Sequence, residues 1–185
     1  MKKVLLVLLL VMILPCNTLS AIQEKDQRLK ATTAALVVQA LQLGERAQQL
    51  FSIKDQLLRI VQERKGKITL QEDFIVDAVT ELKYVATVAY FEGNLLGAVL
   101  AVKEKFQLQF INDRIIELQN SLESTTASLR PIQVAYSGIE NGAALQQIER
   151  SIKIVQSLIE TYRNSIEILL RMREKQAKEI DKVQP

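Results

Sequence analysis

Cys16 is the only thiol in this 185-residue sequence, and neither histidine nor tryptophan occurs. Without histidine, general acid–base chemistry would fall to carboxylates, lysines or tyrosines. The carboxylates are spread along helical faces with no evident buried pair. Glu72, Asp73 and Asp77 do cluster, but at a helix start, where the dipole stabilises negative charge anyway. No Glu-x-x-His pair exists, which excludes a di-iron carboxylate bundle of the usual kind. A histidine-ligated haem is excluded on the same ground. Tyr84, Tyr90, Tyr136 and Tyr162 read as packing residues with a wet hydroxyl. The sequence therefore predicts no enzyme, no cofactor and no metal site.

Cys16 sits inside what reads as an export signal, residues 1–21. Lys2 and Lys3 give a positive start, and Val4 to Leu14 is an unbroken apolar run of eleven residues. Pro15 breaks the helix, and a polar, small-residue stretch from Asn17 to Ala21 follows. Eleven residues are too few to span a hydrocarbon core of about 30 Å, but they suit the apolar region of a signal peptide. Cleavage after Ser20 or Ala21 fits. The alternative is a lipoprotein signal at Ile13-Leu14-Pro15-Cys16, cleaved before Cys16 with lipidation of that thiol, although Leu14 and Pro15 are not the small residues such a box wants. Either way the expected location is periplasmic or extracellular, membrane-anchored in the lipidated case. Cleavage downstream leaves residues 22–185 without cysteine, so stability must come from helix packing alone.

Charge argues against a nucleic-acid partner. The chain carries 24 Lys and Arg against 21 Asp and Glu, and without Lys2 and Lys3 the balance is 22 against 21, a net +1. A nucleic-acid binder needs one sign of charge over a face, and here the signs are mixed throughout. The densest basic segment, Arg171 to Lys182, is interleaved with Glu174, Glu179 and Asp181. It reads as a solvated helix end with cations near the C-terminal dipole; the alternative is a peripheral contact with anionic lipid or peptidoglycan.

The elements that must carry these residues are helices. Leu145, Ile148, Ile152, Val155, Ile159, Tyr162, Ile166 and Leu169 follow an alternating three-four spacing without a slip. That repeat forms one seam of a helix, which must pack lengthwise against another. Gly66 serves as a C-cap and Thr69-Leu70-Gln71-Glu72 as a capping box. A second boundary lies between Pro131 and Gly142, and a weaker one at Gly93 to Gly97. The prediction is an all-α, elongated antiparallel bundle in one domain, 22–185, with helices near 23–63, 70–92, 96–129 and 141–182. Three long helices with a kinked central one are the alternative.

Between Lys83 and Lys103 the only charge is Glu92, in a stretch that contains the small-xxx-small pair Gly93 and Gly97. In a membrane that spacing lets helices approach closely. Glu92 and Asn94 would then each cost on the order of a few kcal/mol at mid-bilayer, so a helix buried in a bundle explains the residues better. Glu92 and Arg173 interrupt apolar stripes, as register-fixing polar groups or as the point where a bundle meets solvent, the latter favoured for Arg173. The expected function is that of a non-enzymatic exported envelope protein, structural or adaptor, such as a secretion- or pilus-associated component or a periplasmic scaffold, acting on a protein partner or on itself through helical seams. The alternatives are a ligand-binding or sensory four-helix module and a membrane-interacting protein using residues 84–102.

Overall fold

The computed structural model describes residues 2–63, 70–102, 104–140 and 142–180. Four helices account for them: α1 (Lys2–Glu63), α2 (Leu70–Ala98), α3 (Glu104–Gly138) and α4 (Gly142–Ile180), with a 3-10 turn at Val99–Ala101 after α2. No strand occurs among the described residues. The fold is the all-α helical bundle that the apolar periodicity predicts. Gly66, Thr69 and the Cys16 side chain lie outside the described residues. By its contacts the chain divides into Met1–Ala35, which holds the first part of α1, and Leu36–Pro185, which holds the bundle.

Within the second unit, each helix turns an apolar row inward. Leu36, Leu43, Leu50 and Leu57 recur every seventh residue on α1 and are fully buried. Ile75, Ala78, Leu82, Val85, Ala89 and Leu96 do the same on α2. Burying one large aliphatic side chain contributes about 1.5–3 kcal/mol, so these rows supply the main driving force. Successive helices run antiparallel. Gly93 of α2 abuts Ala40 and Gly44 of α1, Phe74 near the start of α2 covers Gly138 at the end of α3, and Gln176 of α4 donates to Gln107 of α3. Arg46 of α1 reaches Thr161 of α4 and closes the ring of four.

The structure moves several expected boundaries. The turn expected at Gly93 to Gly97 lies at residues 99–102 instead, and α2 runs unbroken through both glycines. Gly93 is there for closeness, not for a turn: a Cβ on it would sit 2.9 Å from the Ala40 carbonyl oxygen and 3.3 Å from the Gly44 nitrogen. The third helix does not stop at residue 129 but passes through Pro131 to Gly138. Proline costs a helix about 3 kcal/mol; here its ring faces solvent while Ile132, Ala135 and Ile139 continue the buried row beyond it. Likewise α1 is continuous across Pro15, where a break was expected; the leucine-rich turns before it and the Gln-, Glu- and Lys-rich turns from Gln23 onward favour helix on either side. Nor does α4 fray at Arg173, since Met172 is buried and Gln176 is bonded to α3.

The two glycines of α2 therefore answer differently to alanine. Gly93→Ala forces backbone apart and should destabilise by about 1–2 kcal/mol, overpacking outweighing the gain in helix propensity. A Cβ at Gly97 meets open space, so Gly97→Ala should stabilise by about 0.5–1 kcal/mol. Urea unfolding followed by circular dichroism measures both.

Candidate functional site

Glu92 occupies a core slot of α2, in three-four step with Val85, Ala89, Leu96 and Val99. Arg114 occupies the matching inward position on α3, between Ile111 and Leu118. Both are buried, and they bond to each other through Arg114 Nη2 and Glu92 Oε2. The other carboxylate oxygen, Oε1, accepts from Ser121 Oγ at 2.7 Å, one heptad along α3. Arg114 Nη1 also donates to Glu117, whose side chain is 54% exposed. A charged chain thus runs Glu92–Arg114–Glu117 from the core to the rim between α2 and α3. Both oxygens of Glu92 are occupied, which is the condition under which a buried carboxylate is tolerated.

Further polar groups of α3 and α4 collect around this pair. Thr125, one turn beyond Ser121, and Tyr162 of α4 are fully buried. Burial pushes the Tyr162 hydroxyl well above the ordinary phenol range, the Glu92 charge adds to that, and the Thr125 hydroxyl pulls weakly the other way. Neither the Tyr162 nor the Thr125 oxygen completes a hydrogen bond of normal geometry, and Arg114 Nε has no partner. On the far side Arg46 donates to Thr161 Oγ1 at 2.5 Å and to Gln42 at 3.4 Å; burial lowers the Arg46 guanidinium, with Glu45 opposing. Thr161 in turn donates to the Ser157 carbonyl at 2.9 Å and Ser165 to the Thr161 carbonyl at 2.7 Å.

This arrangement joins α2, α3 and α4 through buried polar groups. With its pKa raised chiefly by burial, Tyr162 holds its proton at neutral pH. Among the described residues no group of three His, Cys, Asp or Glu could hold a metal ion. Two surface hollows, one along α1 at Gln48, Phe51, Asp55 and Arg59 and one between α3 and α4 at Glu123, Arg130 and Arg163, touch neither the pair nor residues 84–102.

The predicted seam of α4 lies in the bundle. Ile148, Val155, Ile159, Tyr162, Ile166 and Leu169 are buried, and Leu145 and Ile152 are partly buried against the same core. A second row of α4 (Ser151, Ile154, Leu158, Thr161, Ser165 and Met172) is buried as well. Sequence reasoning passed over that row, together with Arg114, Ser121, Thr125 and Ser128 on α3. A three-four count that admits polar residues finds them, because they share the spacing of Ile111, Leu118, Ile132 and Ala135.

Exposed apolar side chains occur on α1 (Val37, Val38 and Leu41) and α3 (Ile116 and Val134), and α2 carries an apolar stripe. Tyr84, Val88, Phe91 and Leu95 are spaced four, three and four residues apart on its outer face, with Tyr84 48%, Phe91 59% and Leu95 41% exposed. Tyr90 lies edge-on to Phe91, ring centres 5.9 Å apart. No helix among the described residues is long and apolar enough to cross a membrane.

Two outcomes test the buried cluster. Glu92→Ala or Arg114→Ala alone should cost about 3–5 kcal/mol in urea unfolding by stranding the other charge, while Glu92→Met with Arg114→Leu recovers most of the loss. Because the folded-state pKa of Tyr162 is raised above the ordinary 10.0, its contribution is complete below about pH 10 and is lost as pH rises through the folded value. Melting temperature should therefore fall more steeply above about pH 10 in the wild type than in Tyr162→Phe.

Comparison with known proteins finds no matching family, no matching curated protein and no matching solved structure.

Proposed function

We propose that the chain is an exported, non-enzymatic scaffold or adaptor of the cell envelope that works by helix–helix contact. The observation that carries this reading is the outer face of α2. From Tyr84 to Val102 the one charged residue, Glu92, points inward and is paired, which leaves an apolar, aromatic stripe in water. Contiguous exposed apolar surface rimmed by polar groups marks interaction sites, and an apolar row at heptad spacing is the form in which one helix receives another. The α4 seam supplies the rigid body on which α2 is mounted. Tyr90 and Phe91, which a ligand pocket near residues 84–97 would need as its lining, stand in solvent, and this favours a protein-facing surface over an enclosed ligand. The apolar run Val4–Leu14 behind Lys2 and Lys3 supports export.

The test is a photoreactive phenylalanine analogue placed at position 91 or, as control, at the exposed Lys153 position on α4, in the producing cell. Adducts of discrete mass at 91 and none at 153 are expected; absence of adducts at 91, or equal labelling at both, overturns the reading. Intact mass of the same material should place the N-terminus at Ala21 or Ile22, or at a lipid-modified Cys16. A chain that retains Met1 would refute export.

A further inference from the structure

We infer that the partner of the α2 face is a second copy of this chain, docked antiparallel about a two-fold axis between residues 89 and 90. This rests on the helix-pairing reading above and names its partner. The spacing itself is the first argument. Tyr84, Val88, Phe91 and Leu95 form a four-three-four series, which reads the same in both directions. Two such helices placed head to tail bring Tyr84 level with Leu95 of the other copy and Val88 level with Phe91, so every large apolar residue meets another. A closed two-fold contact requires this self-complementarity of one patch, and alternating four-three spacing is the register of an antiparallel helix pair.

Charge is the second argument. Thr87 and Asn94 flank the stripe, and Ala98 extends it to face Glu81 of the other copy, so the axis opposes no two like charges. A bilayer fits the face less well. Glu117, bonded to Arg114 on the α2 side of α3, and Asp113 one turn earlier are exposed acids at its margin, and they would repel anionic lipid.

Area sets the strength. Half-exposed aromatic and aliphatic side chains of this size offer on the order of 100 Å² each. The stripe then offers roughly 350 Å² per copy, and with its rim it stays below the ~800 Å² of a standard interface. The dimer should be reversible.

Sedimentation equilibrium of the full chain should show a monomer–dimer equilibrium in roughly the micromolar range. Phe91→Lys and Val88→Glu should each weaken it at least tenfold with the helical spectrum unchanged. Mixing the two variants should restore dimer, because position 88 of one copy faces position 91 of the other. In a Cys16→Ser background, chains carrying Tyr84→Cys should cross-link through a short reagent to chains carrying Leu95→Cys. They should not cross-link to each other, since the two copies of position 84 lie about 16 Å apart along the axis. Cross-linking of 84 to 84, dimerisation that ignores Phe91→Lys, or a monomer at every concentration overturns the inference. A monomer that still gives discrete adducts from position 91 in the cell spares the helix-pairing function and refutes only self-association. A monomer that floats with vesicles of phosphatidylethanolamine and phosphatidylglycerol refutes both.

Discussion

A charged pair in an apolar row fixes the register of the bundle. Glu92 on α2 and Arg114 on α3 each take a position that the helical repeat would give to an aliphatic residue. Sliding α2 by one heptad would leave a carboxylate and a guanidinium separately buried, at about 3–5 kcal/mol for the first broken pair. Domains of this size are stable by only about 5–15 kcal/mol, so the slipped arrangement is hardly populated. The pair adds little net stability over a well-packed apolar pair; its weight falls on the alternatives. Ser121 strengthens the selection by occupying the second carboxylate oxygen.

The adjacent residue performs the corresponding selection toward α1. Gly93 admits the Ala40 carbonyl at a distance no side chain would permit. Two consecutive residues of α2 thus specify two different neighbours, one by charge and one by the absence of a side chain. Arg46 and Thr161 join α1 to α4, and Thr125 and Tyr162 bring α3 and α4 into the same cluster. Each element is therefore told apart from the others by polar or steric detail, where uniform apolar packing would leave several arrangements nearly equal in energy.

Much of the fold was legible because burial follows helical spacing. The α4 repeat from Leu145 to Leu169 is one of the two rows that helix turns to the core, and Glu92 was recognisable as a polar intrusion, either a partnered register-fixing group or the point where the bundle meets solvent. The partner itself was not. Arg114, Ser121 and Thr125 are invisible to a hydropathy count, and only their phase relative to Ile111 and Ile132 marks them as internal. The turn after α2 was misplaced because glycine has two uses, conformational freedom and close packing, and local sequence does not separate them. Pro131 misled in the same manner: a proline ends a helix only when nothing beyond it rewards continuation, and Ile132, Ala135 and Ile139 do. The outer stripe of α2 was hidden inside a segment apolar on both faces, where spacing alone cannot say which row goes in.

That ambiguity explains why the polar cluster and the exposed stripe belong together. Rows of comparable apolarity run along both sides of α2, one through Leu82, Val85, Ala89 and Leu96, the other through Tyr84, Val88, Phe91 and Leu95. On hydrophobicity alone α2 could rotate by about a third of a turn and bury the second row in place of the first, with little loss of apolar area. Such a rotation would pull Glu92 away from Arg114 and Ser121 and strand Arg114 in the core, and it would replace Gly93 with a side chain against the Ala40 carbonyl. Both penalties act on the same rotation, and neither touches the native state. A helix that keeps an apolar face in water needs such a device, since otherwise the fold would consume the surface it displays. Neighbouring residues 92 and 93 supply it.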